Sequence, residues 1–199
     1  MEIKNRIITE ARQLFVKYGI RSITMDMIAE HLGISKRTIY ENFKDKNELL
    51  KSCINAAMAD QRKMNEEIIK SSSNIIDAIF IFIKNSINTL KRINPAFFYD
   101  IQKYYPAIWS RPIQKNDERN FNCIVSLLNQ GISEGLFREN INVEIIARLI
   151  LEQFKLLSNQ EIFPENKYSM VDIFENIVIN FVRGIVTVNG LELIDTYNI

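Results

Sequence analysis

Apolar residues recur at helical spacing along most of the chain, and no segment alternates apolar and polar residues for long enough to predict a β-strand. Asn74 and Asn142 stand where a helix needs an N-cap, while Gly19 and Gly135 stand where one ends. We therefore expect an all-α protein. The spacing predicts about nine helices, over residues 3–18, 24–32, 35–43, 46–70, 74–93, 95–105, 114–134, 142–158 and 169–186.

The most specific pattern lies between Thr24 and Phe43, where two short helices are joined by a tight turn. Thr24 can cap the first helix, and Gly33 can adopt the positive φ that ends it. Ser35 can then cap the second helix, whose Ile39 and Phe43 point inward. This arrangement is typical of a helix-turn-helix.

The outward side of the second helix carries Lys36, Arg37, Thr38 and Tyr40. These side chains supply hydrogen-bond donors from the first turns of a short helix, as a helix in the DNA major groove requires. The alternative interpretation is a helical hairpin in an all-α core whose charges are only solvated.

Another helix begins directly after this motif. Asp45 and Glu48 stand in a capping-box arrangement, and Lys46 lies in the first turn between them. The helix dipole disfavours a cation there unless an anion is nearby, and a DNA phosphate would be that anion. Lys44 is a further candidate for DNA contact, or a simply solvated side chain.

Residues 24–50 closely resemble the DNA-binding domain of TetR-family transcriptional regulators. The residues that carry the resemblance are Ile28, Ala29, Gly33, Ile34, Ser35, Thr38, Ile39, Tyr40, Phe43, Lys46, Glu48 and Leu49. The resemblance implies a homodimer with a DNA-binding domain over residues 1–50 and a helical effector-binding and dimerisation domain over residues 51–199.

The resemblance also transfers DNA contact to residues of this chain: Ser35, Lys36, Arg37, Thr38 and Tyr40, with Thr24 and Lys46 as phosphate contacts at two helix starts. Phosphate ligands set register and affinity, whereas base-edge ligands set sequence. We assign Lys36 and Arg37 to the bases, and Tyr40 and Lys46 to the backbone.

Charge adds little to this picture. The formal net charge is +1, with ten Lys/Arg and seven Asp/Glu among the first 55 residues, and fifteen and seventeen in the rest. DNA affinity should therefore depend on placed contacts and dimerisation. No apolar run approaches a membrane span, and Met1 to Arg6 lead into no signal-peptide core, so we expect a cytoplasmic protein.

The residues that could support catalysis or metal binding are few. His31 is the single histidine, and an exposed surface position is expected for it. Cys53 and Cys123 lie far apart without metal-ligand spacing, so we expect two buried, reduced thiols. No metal or cofactor is predicted, and an all-α enzyme is a remote alternative.

An aromatic segment in the second half indicates a ligand pocket. Six of the chain's aromatic residues fall between Phe97 and Trp109, on more than one side of the predicted helix, although any one of them could be plain core. We expect a mostly apolar small molecule to bind there. The predicted pocket residues are Phe98, Gln102, Tyr105, Trp109, Phe121, Ile124, Gln153 and Phe154.

The helices predicted over residues 143–158 and 169–186 have wide apolar stripes. Two such helices from each subunit would form a four-helix interface with two-fold symmetry. The predicted interface residues are Ile146, Ile150, Phe174, Ile177, Phe181 and Ile185. A monomer that buries every stripe internally is the alternative.

Together these features predict a homodimeric DNA-binding transcriptional regulator, a repressor that leaves its operator when an apolar effector enters the C-terminal domain. The effector would move the helix of residues 46–70 and so change the separation of the two recognition helices. The alternative of the same fold is a DNA-binding protein controlled by a protein partner.

Overall fold

The structure, a computed structural model, describes residues 2–157, 159–164 and 166–197, with residues 109–117 described for their backbone alone. Across this part of the chain the fold is all-α, as predicted, and the one β-bridge joins Phe137 to Val186. The ten helices are α1 (Ile3–Tyr18), α2 (Met25–Leu32), α3 (Lys36–Asn42), α4 (Lys46–Ser71), α5 (Ile75–Leu90), α6 (Pro95–Tyr104), α7 (Pro106–Ser133), α8 (Val143–Leu156), α9 (Met170–Ile185) and α10 (Val188–Thr196).

The predicted helix caps are confirmed. The side chains of Thr24, Ser35, Asn74 and Asn142 each accept a hydrogen bond from the backbone N–H three residues later. Gly33 ends α2 in the left-handed conformation, with φ at 64°. These signals act within one turn of helix, so the sequence located these four helix starts correctly.

Two helices differ from the prediction. Helix α7 begins at Pro106 instead of near residue 114, because proline at the first helical position lacks only an N–H that the helix does not use. Helix α10 was not predicted, since nine residues are too few for a clear apolar period. Its N-cap Thr187 accepts from the Gly190 N–H, and Ile194 is buried.

Residues 1–64 and 92–114 form one compact unit, unit 1. Its core is built from α1, α2, α3, the start of α4, and α6. Helix α6 packs against α1, and the Asn94 N–H donates to the Val16 carbonyl at 2.9 Å. The largest fully buried side chains of this core are Ile7, Phe15, Ile20, Ile28, Ile39, Phe43, Leu49 and Leu50.

Residues 65–91 and 115–199 form the second compact unit, unit 2. Helix α5 lies at its centre, in contact with α9 and α10, and its Ile75, Ile76 and Ile83 are fully buried, as the predicted apolar helix required. The Tyr197 ring stacks on Phe80 with centroids 4.3 Å apart. None of the described helices combines the length and apolar composition of a membrane span.

Candidate nucleic-acid interface and internal cavity

Helix α3 presents its polar residues outward and one apolar residue inward. Ile39 is fully buried, whereas the Arg37 side chain is 88% exposed and Tyr40 is 46% exposed. Arg37 and Ile39 point in nearly opposite directions because two residues span about half a turn of a helix with 3.6 residues per turn. The side chains predicted to contact DNA therefore lie on a polar, outward face of α3.

The two cations of this face are paired with acids that sequence reasoning missed. Lys36 Nζ lies 2.7 Å from Asp26 Oδ2, and Arg37 Nε lies 2.8 Å from Glu41 Oε1. The hydrogen bond to Asp26 raises the pKa of Lys36, so its charge is kept. Exposed pairs of this kind contribute little to stability, so both cations are available to phosphates or base edges.

The predicted hydroxyl contacts lie at two helix N-termini. Thr24 Oγ1 accepts the Met27 N–H at 3.1 Å, and Ser35 Oγ accepts the Thr38 N–H at 3.0 Å. Ser35 Oγ also lies 2.8 Å from Thr38 Oγ1. Thr24 keeps its hydroxyl proton to donate, and so does one of the two hydroxyl groups in the Ser35–Thr38 pair. A helix N-terminus also favours an anion such as a phosphate.

Lys46 lies differently from its predicted role. Its Nζ donates to the Ile20 carbonyl oxygen at 2.5 Å and sits 5.8 Å from the centre of the Phe15 ring. This partial burial lowers the pKa of Lys46. The ammonium thus fixes the start of α4 to the turn before α2. Lys44 is exposed, and its backbone N–H donates to Glu48 Oε2.

His31 lies on the exposed side of α2, as expected. Its Nε2 is 3.2 Å from Glu10 Oε2, and 47% of its side chain is exposed. Among the described residues no group of three His, Cys, Asp or Glu side chains could hold a metal ion.

Unit 2 contains a cavity of about 300 Å³. It is lined by Asn65, Ile68, Ile69, Ile75, Ala78, Ile79, Phe82, Asn120, Cys123, Ile124, Leu127, Leu128, Phe137, Ile150, Leu151, Gln153, Phe154, Ile177, Val178, Phe181, Val182 and Ile185. None of these lining side chains is charged. The volume is at the lower end of small-molecule pockets, which span about 300–1,000 Å³.

Three of the predicted pocket residues line this cavity, namely Ile124, Gln153 and Phe154. Phe98, Gln102 and Tyr105 do not, because α6 belongs to unit 1 and buries its Ile101 in the core there. Tyr105 packs against that same core.

Phe121 also lies apart from the described cavity wall. Phe121 packs against the core of unit 2, and the Arg148 guanidinium lies 4.7 Å from its ring centre. The side chain of Trp109 lies outside the described residues.

The polar part of the cavity wall was largely missed from the sequence. Asn65 on α4 and both Asn120 and Cys123 on α7 contribute to it. The expectation of two buried thiols is correct for Cys53 and wrong for Cys123, which is exposed. A sequence signal for these residues exists: each polar residue stands next to an apolar position of its helix stripe, at the edge of the helix face that is turned inward.

The predicted dimer residues are mostly used within the subunit. Phe174 and Ile185 are buried in the core of unit 2, and Ile146 packs against it. Ile150, Ile177 and Phe181 line the cavity together with Ile185. The apolar side chains that point outward from α8 are instead Ile145 and Leu149, at 56% and 48% exposure.

Comparison with known proteins matches residues 7–53 to the family described as "Bacterial regulatory proteins, tetR family". The chain is 22% identical over 181 residues to the HTH-type transcriptional regulator YvaF of Bacillus subtilis (strain 168), covering 90% of this chain and 94% of the relative. It is 23% identical over 151 residues to the HTH-type transcriptional repressor KstR2 of Mycobacterium tuberculosis, covering 74% and 75% of the two chains.

Solved structures share the fold. The structure of ketosteroid transcriptional regulator KstR2 of M. tuberculosis superposes with a TM-score of 0.59 at 20% identity, over 92% of this chain and 95% of that one. The fatty acid degradation regulator FadR from Bacillus halodurans gives 0.67 at 15% identity, over 92% and 96%. Together with the helix-turn-helix described above, the family match identifies residues 7–53 as a DNA-binding segment of the TetR family. The solved structures show that most of the chain shares the fold of these transcriptional regulators.

Proposed function

We propose that the protein is a cytoplasmic, homodimeric repressor that leaves its operator when a mostly apolar small molecule occupies the cavity of unit 2. Residues 1–50 form the DNA-binding domain, and residues 51–199 form the effector-binding and dimerisation domain. The polar face of α3 supports the DNA-binding role, since Lys36, Arg37 and Tyr40 are exposed on it.

We assign base contact to Lys36 and Arg37, which can release their carboxylate partners. Phosphate contact falls to Thr24, Ser35, Thr38 and Tyr40, with Lys44 as a weaker contributor. Lys46 donates one hydrogen bond to the Ile20 carbonyl and keeps further N–H donors, so it can hold α4 against the DNA-binding helices and contact a phosphate as well.

The effector role of the cavity is supported by its wall, which is apolar except for three amide side chains and one thiol. Two proteins of the same fold are named for ketosteroids and for fatty acid degradation, and both names refer to compounds with large hydrocarbon parts. These names fit an apolar effector for the present protein.

The observation that carries the proposal is that the two ends of α4 have different contacts. Its first residues are fixed to the helix-turn-helix by the buried Leu49 and Leu50 and by the Lys46 hydrogen bond. Its far end contributes Asn65, Ile68 and Ile69 to the cavity wall. A ligand that displaces this wall therefore acts on a helix that also holds the DNA-binding helices.

The outward side of α8 supports a dimer. Ile145 and Leu149 are four residues apart and hence on one side of the helix. A subunit that uses this side with α9 would form a symmetric four-helix interface. The same exposed pair is the surface on which a protein partner would act in the alternative function.

The test begins with selection of binding sites from a random DNA pool by the purified protein. We expect a palindromic operator with half-sites roughly 34 Å apart or a multiple of that distance. Fluorescence anisotropy of the labelled operator, titrated with a panel of apolar compounds, then measures release. An asymmetric single site, or an operator complex that no cavity-binding compound weakens, would contradict the proposal.

A further inference from the structure

The cavity of unit 2 has an uneven distribution of polar groups. Eighteen of its 22 lining residues are apolar, and the polar ones are Asn65, Asn120, Cys123 and Gln153. No carboxylate, ammonium or guanidinium is among the lining side chains that the structure describes. A charged ligand group in this cavity would lose its hydration without gaining an ion partner, which strongly disfavours its burial.

Gln153 is the polar residue of this wall with an unsatisfied atom. Its Oε1 is shielded from solvent and accepts no hydrogen bond from any described residue. Buried side-chain oxygens in folded proteins are nearly always hydrogen-bonded, so an orphaned one marks a position where a partner is supplied from elsewhere. Gln153 lines the cavity, so a ligand can supply this partner once the side-chain amide turns and brings the shielded oxygen to the cavity.

The side chain can make this contact without moving α8. Gln153 stands between Leu151 and Phe154, which also line the cavity, so its amide is attached to a part of the helix that faces the ligand. The terminal torsion of glutamine is broad, and a turn about it brings the oxygen toward the cavity. The atom that lacks a partner is the oxygen, which is an acceptor, so a ligand that satisfies it has to donate.

We infer that the cavity selects an uncharged, apolar molecule that carries a hydroxyl group, and that this hydroxyl donates its proton to Oε1 of Gln153. Gln153 is then a specificity-determining residue for the effector, which rests on the proposed function of the cavity. Molecules with a carboxylate or a quaternary ammonium in place of the hydroxyl bind less well.

The test uses calorimetric titration of the full chain with four straight-chain compounds of similar length. The first two, 1-decanol and methyl nonyl ether, are isomers that differ in the hydroxyl donor. The other two, decanoate and decyltrimethylammonium, carry a negative and a positive charge. We expect 1-decanol to bind about fivefold more tightly than the ether, which is the effect of one ordinary hydrogen bond, and both ions to bind more weakly than 1-decanol.

Two variants then test whether the preference for 1-decanol over the ether depends on Gln153. Gln153→Leu should bring the ratio of the two isomers to about one while it keeps or improves the affinity for the ether. Asn120→Leu removes a different polar lining group and should keep the preference for 1-decanol. Equal affinity for the isomers in the unmodified protein, an unchanged ratio in Gln153→Leu, tighter binding of either ion, or no binding of any compound would overturn the inference.

Operator release is measured separately, so that the two proposals can fail independently. If 1-decanol binds with the Gln153-dependent preference and does not release the operator, the inference stands and the proposed coupling fails. If cavity-binding compounds release the operator with no dependence on Gln153, the proposed function stands and the inference is overturned.

Discussion

Asp100 on α6 accepts a hydrogen bond from the backbone N–H of Arg21, with 2.7 Å between Oδ2 and the nitrogen. The two residues are 79 positions apart in sequence. Among the described residues of unit 1, Asp100 is the one charged residue that is buried. Arg21 also contacts α6 through its guanidinium, which donates to the Tyr104 hydroxyl at 3.0 Å. These bonds attach α6 to the turn that precedes the helix-turn-helix.

Replacing Asp100 should therefore destabilise the protein through this turn. Asp100→Ala leaves the Arg21 N–H without its acceptor, and we expect a loss of about 1–3 kcal/mol in the free energy of unfolding. Asp100→Asn keeps an acceptor oxygen and should lose less. Urea denaturation followed by circular dichroism measures both, and equal stability of the two variants would contradict this account.

Arg37 should contribute to sequence discrimination. Its guanidinium is held only by the exposed Glu41, and a base contact of an arginine is worth about 1–3 kcal/mol. Loss of roughly that energy corresponds to about a tenfold or larger decrease in affinity, so Arg37→Ala should weaken operator binding by about this factor. Binding to random DNA should weaken much less. Lys63→Ala removes an exposed charge of α4 and serves as the control. Equal losses on both DNAs would assign Arg37 to the phosphates.

The two cysteines should react at very different rates. Cys53 is buried, its thiol donates to the Ile8 carbonyl, and burial raises its pKa to about 12. Cys123 is exposed at the cavity wall, so Ellman's reagent at pH 8 should label it first and Cys53 only after unfolding. A cavity ligand should slow the labelling of Cys123. Rapid reaction of both thiols in the folded protein would contradict the assigned burial.

The raised pKa of Cys53 also predicts a pH dependence. The unfolded thiol, with a pKa near 9, releases its proton before the folded one does. Its contribution to stability is therefore complete below about pH 9 and declines as the pH rises from there toward 12. Cys53→Ala should remove this decline, which chemical denaturation at pH 8 and pH 10 can measure.

Gly131 on α7 is required because of its neighbour. A Cβ atom there would lie 2.2 Å from the Phe137 ring, so alanine forces the ring or the helix to move. We expect Gly131→Ala to lower the free energy of unfolding by about 1–3 kcal/mol, the usual cost of overpacking. The exposed Ser126→Ala on the same helix should have little effect, and a Gly131→Ala variant as stable as that control would contradict the close packing.

The proposed dimer can be tested at Leu149. Leu149→Glu places a charge on the exposed apolar pair of α8 without touching the core of unit 2, and it should convert the dimer to a monomer in sedimentation velocity. Ile162→Glu changes another exposed apolar residue, in the loop after α8, and should leave the dimer intact. A monomer in the unmodified protein, or a Leu149→Glu variant that remains dimeric, would contradict this interface.

The sequence by itself determined the helix-turn-helix and most helix boundaries. Thr24, Gly33 and Ser35 act through caps and a left-handed turn that involve atoms only a few residues apart, so their patterns can be interpreted without a fold. The same holds for the polar face of α3, because the helical period alone separates Ile39 from Arg37.

Tertiary structure decided the rest. Apolar periodicity shows that a face is covered, without showing what covers it. Ile150 and Phe181, which the sequence predicts for a dimer stripe, line the cavity within the subunit, while the aromatic segment around Phe98 joined unit 1. Lys46, which the sequence predicts as a phosphate contact, also donates a hydrogen bond to the Ile20 carbonyl, 26 residues away in sequence. Each of these outcomes depends on which distant faces meet, and local spacing carries no information on that.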